Sequence, residues 1–258
     1  MCIRDSYSRT WGNQVLSFVT HLKAKRAFSD GEIKEIQRTL IYRHIAWINA
    51  LRLRLRQPSS FSLKKHRSVN KYSQGSAERK QWDEEVGSLL EAEEYAYVID
   101  KINTPTHLLR MQGEHLKRLM IEDGLIEDFR HMEMMRILEE GYNFQGKCER
   151  IKNTPFPRQY AFFSKVFTWI FILLLPFGMV GEFAATGHNV IWLTIPFCVL
   201  ISWIFITMEM VGDNSEDPFE NFINDVPMTA LCNTIERDLR EMLDENETKV
   251  KPMHDILF

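Results

Sequence analysis

The stretches Val-Phe-Thr-Trp-Ile-Phe-Ile-Leu-Leu-Leu-Pro-Phe-Gly-Met-Val-Gly (166–181) and Val-Ile-Trp-Leu-Thr-Ile-Pro-Phe-Cys-Val-Leu-Ile-Ser-Trp-Ile-Phe-Ile-Thr-Met (190–208) contain no Asp, Glu, Lys or Arg. A helix needs about 20 apolar residues, at 1.5 Å each, to cross a hydrocarbon core about 30 Å thick. The second run meets that length. The first reaches it through Tyr160–Phe163, because the long stem of Lys165 lets its ammonium snorkel to the interface. A helix buried in a soluble core keeps a polar stripe, and neither run has one. The two runs therefore read as a membrane hairpin, joined by a short tip over 182–189.

The rest of the chain has the opposite character. Of 32 Lys and Arg and 35 Asp and Glu in 258 residues, only Glu182 falls between 166 and 208. The mean hydropathy of −0.26 thus averages over two solvents. A net charge of −3 argues against nucleic acid as a partner, since binding by counterion release requires a basic face. The cysteines Cys2, Cys148, Cys198 and Cys232 form no C-x-x-C pair and no zinc spacing, so they read as free thiols. Orientation follows from the flanks of the hairpin. Lys147, Arg150, Lys152, Arg158 and Lys165 precede the first run, while the tip has no Lys or Arg, which places both aqueous flanks on the cytoplasmic side.

Outside the hairpin the spacing is helical. Ile33, Ile36, Leu40, Ile41, Ile45, Trp47, Ile48 and Leu51 recur at three- and four-residue intervals behind Ser29-Asp30, a capping signal. The alternating end Leu-Arg-Leu-Arg-Leu-Arg (51–56) could be a strand, but no partner strand is available, so helix is preferred. Its arginines then read as a solvated or headgroup-facing surface. Residues 57–80 are rich in Ser and basic residues and read as a polar loop. Helices follow over 84–99, from Thr104-Pro105 to about 121, over 125–151 and over 228–243. The class is all-α, divided into a start that need not be native (1–7), a cytosolic helical segment (8–56), the loop (57–80), cytosolic helices (81–157), the hairpin (158–209) and a cytosolic C-terminal segment (210–258). Pro176 and Pro196 should kink the spans, and Pro218 and Pro227 should shape an elbow after them. Asp213, Glu216, Asp217 and Glu220 could form a weak cation cluster, although caps and turns explain most of them better. No catalytic motif or phosphate-binding glycine loop is present, so neither an enzyme nor a cofactor is expected.

Several motifs resemble the bacterial bestrophin-like family of membrane channels. They are Tyr42-Arg43-His44-Ile45-Ala46-Trp47, Gly124-Leu125-Ile126-Glu127-Asp128-Phe129-Arg130-His131-Met132-Glu133 and Cys148-Glu149-Arg150-Ile151-Lys152-Asn153-Thr154-Pro155-Phe156-Pro157. Leu174-Leu175-Pro176-Phe177, Glu216-Asp217-Pro218-Phe219, Asn224-Asp225-Val226-Pro227 and Thr234-Ile235-Glu236 continue the series. The resemblance implies a pentameric channel of the inner membrane passing small monovalent ions, anions in some members and sodium or potassium in others. It implies that Phe129 supplies one side chain of a ring that narrows the cytosolic pore. Relatives have two further spans in front of these motifs. This chain is therefore expected to lack its beginning and not to conduct as it stands. Relatives that clasp calcium carry a denser acidic run than Glu216-Asp217-Pro218-Phe219-Glu220, so calcium gating is not expected. The competing reading is a membrane-anchored helical scaffold that binds a partner protein.

Overall fold

The computed structural model describes residues 5–20, 24–57, 71–154, 158–214, 218–219 and 225–245. The described residues contain α-helices joined by short 3-10 and π turns, and no strand. The helices are α1 (Asp5–Phe18), α2 (Asp30–Arg56), α3 (Lys71–Glu85), α4 (Ala92–Ile99), α5 (Thr104–Arg118), α6 (Asp128–Asn153), α7 (Arg158–Thr186), α8 (Thr194–Asn214) and α9 (Met228–Met242).

Helix α2 is the axis of the aqueous part. It starts with a capping box: Glu32 N donates to Ser29 Oγ at 3.2 Å and Ser29 N donates to Glu32 Oε2 at 2.7 Å, which satisfies two of the amide donors left open at a helix start. From Leu40 to Leu55 it is buried on nearly every side, because α1, α3, α5, α6 and α9 all pack on it. That surround reverses the reading of Arg52, Arg54 and Arg56. Arg52 is buried, donates to Glu85 and lies 3.4 Å from both Asn49 Oδ1 and Thr229 Oγ1. Arg54 donates to the Ile102 carbonyl, and Arg56 donates to Thr229. They join helices rather than face solvent or lipid headgroups.

Helix α3 begins inside the stretch read from sequence as a loop, within its last ten residues; residues 58–70 lie outside the described part. Its sequence has no apolar period. It is held by the i,i+4 pairs Arg79–Asp83 and Lys80–Glu84 and by Trp82, which packs against the core. The helix expected over 84–99 is broken by a 3-10 turn at Gly87–Leu89, where Leu89 is buried. Helix α5 begins as anticipated, with Pro105 in its first turn and Thr106 N donating to Asn103 Oδ1 at 3.4 Å.

The two spans are Phe162–Ala185, within α7, and Ile191–Gly212, formed by the end of the 3-10 turn His188–Leu193 and most of α8. Trp169, Trp203, Phe167, Phe177 and Leu173 are exposed, so these helices bury little against protein and present apolar surface to a bilayer. They meet through the rings of Phe171 and Phe205, 4.6 Å apart, and of Phe183 and Phe197, 5.5 Å apart. The chain is an all-α membrane protein. Pro176 lies inside α7, where it removes one backbone hydrogen bond without ending the helix. Pro196 differs from expectation. It is the third residue of α8, directly after the 3-10 turn His188–Leu193, so it sits at the start of that helix rather than in its middle, a position where proline is tolerated. Pro227 is the N-cap of α9.

Candidate functional site

The start of α6 carries the residue singled out from sequence, Phe129. The chain reaches it through a π turn, Leu119–Asp123, closed by Gly124 at φ 68°, a left-handed conformation that favours glycine. Leu125 and Ile126 then bury themselves and anchor the turn. The connector between α1 and α2 staples it from outside: Thr20 N donates to the Leu125 carbonyl at 3.4 Å, Lys25 N donates to the Asp123 carbonyl at 2.9 Å, and Arg26 lies 3.7 Å from the Asp123 carboxylate. Glu127 caps α6 in extended conformation, and Asp128 and Phe129 follow.

Phe129 is 84% exposed and Met132 is 68% exposed. The opposite face of the same helix, with Met134, Ile137, Leu138, Gly141, Gln145 and Cys148, is buried. At 100° per residue these positions form one sector, and Phe129 lies outside it. A large ring held out of the core next to a buried anchor is not packing the fold. Its charged neighbours differ. Arg130 is drawn back over the ring of Phe18, 5.4 Å from its centroid, and lies 4.0 Å from Glu127. Asp128 is exposed beside Phe129. Nothing local distinguishes the two, because only the position of Phe18 in space separates them.

A second polar feature was not anticipated. Arg43, 3% exposed, donates from Nη2 to Glu94 Oε1 at 2.5 Å and from Nη1 to Gln112 Oε1 at 2.9 Å, with His115 Nδ1 3.1 Å away. Gln112 Nε2 in turn donates to the Leu40 carbonyl at 2.6 Å. A guanidinium only donates, so His115 Nδ1 accepts and the ring proton sits on Nε2. Burial, aided by the charges of Arg43 and Arg118, pushes the His115 imidazolium down to about 4, so the ring is neutral near pH 7. Arg43 belongs to the Tyr42–Trp47 motif, but that motif does not name its partners on α4 and α5. Of the proposed cation cluster, Asp213 is the last residue but one of α8, with its side chain outside the described part, and Glu216, Asp217 and Glu220 lie outside the described residues. Among the described residues no group of three or more His, Cys, Asp or Glu side chains is arranged to hold a metal.

The sequence matches the family described as Bacterial/Fungal Bestrophin protein over residues 7–241. The chain belongs to the bacterial/fungal bestrophin family. Among curated bestrophin relatives, the voltage-dependent anion channel-forming protein YneE of Escherichia coli (strain K12) is 32% identical over 178 residues, which cover 69% of this chain and 56% of that protein. The protein of the same name from Salmonella typhi is 31% identical over 170 residues, 66% of this chain and 53% of that one. This bestrophin spans about half the length of the curated relatives it matches. A solved bacterial bestrophin homolog from Klebsiella pneumoniae has the same fold, with a TM-score of 0.72 at 23% identity, covering 94% of this chain and 75% of that chain.

Proposed function

We propose that this bestrophin is a subunit of an oligomeric, pentameric channel that passes small monovalent ions passively through the inner membrane. The observation that carries the reading is Phe129, projected from the stapled start of α6 with its ring free of the core. Repeated around a rotation axis, such a side chain makes an apolar collar that admits ions by size and gates by dewetting. The names of the YneE relatives, which form anion channels, agree with a channel. In this reading the exposed faces of α7 and α8 meet lipid and neighbouring subunits. The basic residues before the first span hold the regions on both sides of the hairpin in the cytoplasm. Phe129 is the cytosolic constriction, and Pro218 and Pro227 form the elbow at the membrane surface.

The test is electrical. The product of the complete open reading frame encoding this chain is reconstituted in planar bilayers, and current is recorded in asymmetric salt. Ionic current whose unitary conductance rises in Phe129→Ala supports the proposal. Absence of current at high protein density, together with a strictly monomeric species in detergent, overturns it in favour of an anchored scaffold. The reversal potential then decides between anions and cations.

A further inference from the structure

Beside Arg43 the helical part opens into a cleft of about 410 Å³, formed where the start of α2, the start of α4, the end of α5 and the connector before α2 meet. That volume lies within the range of small-molecule sites. Its lining carries charges of both signs, with Glu35 from α2, Glu91 from the start of α4, Arg118 at the end of α5 and Arg26 from the connector. The floor is already neutralised, because Arg43 is paired with Glu94 and His115 is uncharged. Glu32 is committed to its capping box. The side chains of Glu91 and Arg118 make no ion pair or hydrogen bond among the described residues. One carboxylate and one guanidinium therefore line the cleft unmatched, together with the apolar surface of Phe28 and Ile36.

We propose that this cleft binds a small zwitterion of the amino-acid class, its ammonium on Glu91 and its carboxylate on Arg118, and that occupancy is felt at Phe129. A dication would leave the guanidinium unmatched and a dianion the carboxylate, so a molecule carrying both charges matches best. The coupling route is short. Arg118 immediately precedes the π turn Leu119–Asp123, and Arg26, also in the lining, lies 3.7 Å from Asp123 within that turn. Leu125 N donates to the Leu119 carbonyl at 2.9 Å, so the turn is one hydrogen-bonded unit leading directly to Asp128 and Phe129. A ligand drawing Arg118 and Arg26 inward bears on the element that sets the position of the ring. The coupling half rests on the channel reading; the binding half does not.

Isothermal titration of the full chain in detergent with glycine and with L-glutamine tests binding, with putrescine and succinate as single-sign controls. Saturable binding of the zwitterions only, weakened about tenfold or more in Arg118→Gln and in Glu91→Gln, is expected, since each variant removes one charge-assisted hydrogen bond. Both side chains are exposed, and unchanged thermal unfolding confirms that the variants fold. No zwitterion binding, equal binding of either control, or unchanged affinity in both variants overturns the site. A Phe129→Trp chain reports the coupling: L-glutamine should shift its emission, and the shift should vanish with Arg118→Gln. Binding without that shift overturns the coupling alone. Absence of ionic current beside intact binding counts against the channel reading and leaves the site standing.

Discussion

Lowering the pH should destabilise the helical part through His44, and the size of the effect can be worked from its surroundings. His44 lies among the rings of Tyr7, Trp11 and Trp47, with centroid distances of 5.6, 5.9 and 5.2 Å. Its Nε2 is 3.0 Å from Ser8 Oγ, and its Nδ1 has no hydrogen-bond partner among the described residues. Burial pushes the imidazolium down to about 3 from an ordinary value of 6.5. Between those two values the unfolded chain binds a proton that the folded chain does not, so stability falls as pH falls; above 6.5 both states are neutral and the contribution is constant. The slope is about 1.4 kcal/mol per pH unit, which makes the loss between pH 7.5 and 5.0 about 2 kcal/mol. His115, also depressed by burial, adds in the same direction. Urea unfolding in detergent at pH 5.0, 6.0 and 7.5, followed by tryptophan fluorescence, measures the loss. His44→Gln should be less stable at pH 7.5 but flatter, retaining about 2 kcal/mol of what the parent loses. Parallel pH profiles for the two proteins would refute the reasoning.

Phe129→Ala should change stability by less than about 0.5 kcal/mol because the ring is exposed, whereas Leu138→Ala, nine residues along the same helix and 1% exposed, should cost about 2–5 kcal/mol; comparable melting losses would mean that Phe129 packs the fold. Gly141→Ala would set a methyl against the Tyr7 hydroxyl and should cost about 1–3 kcal/mol, most of it recovered when Tyr7→Phe is added. Tyr7→Phe alone should be close to neutral, since that hydroxyl has no partner among the described residues, and a double-mutant cycle without coupling would contradict this geometry. Arg43→Ala leaves Glu94 and Gln112 without their shared donor and should cost about 2–3 kcal/mol. Arg43→Met, which restores stem packing but no donor, should recover only part of it, as denaturant midpoints will show.

What could be read before folding was whatever is written locally. The hairpin was legible because an uncharged run long enough to cross a bilayer has few other uses. Helix α2 was legible because Ile33, Leu40, Ile41, Trp47 and Ile48 repeat at the helical period. Helix α3 was not, because neither its charge pairs nor the contact of Trp82 with a distant core leaves an apolar period. Pro196 was misplaced because composition shows how far an apolar run extends, not where its helix begins. Helix α1 had a signal in Trp11 and Val15, continued by Val19 just beyond its end, spaced by four residues and fully buried, but it is too short to stand out.

The sequence by itself determined the class, the membrane hairpin and the family motifs, because length, charge and period are properties of neighbours along the chain. The tertiary structure decided which side of each helix meets other helices. Arg52 is interior because five helices surround α2, and Arg130 turns away from Asp128 because Phe18 lies behind it. The cleft beside Arg43 exists only where α2, α4, α5 and the connector before α2 converge. Those outcomes depend on contacts between residues dozens of positions apart, which no local pattern encodes.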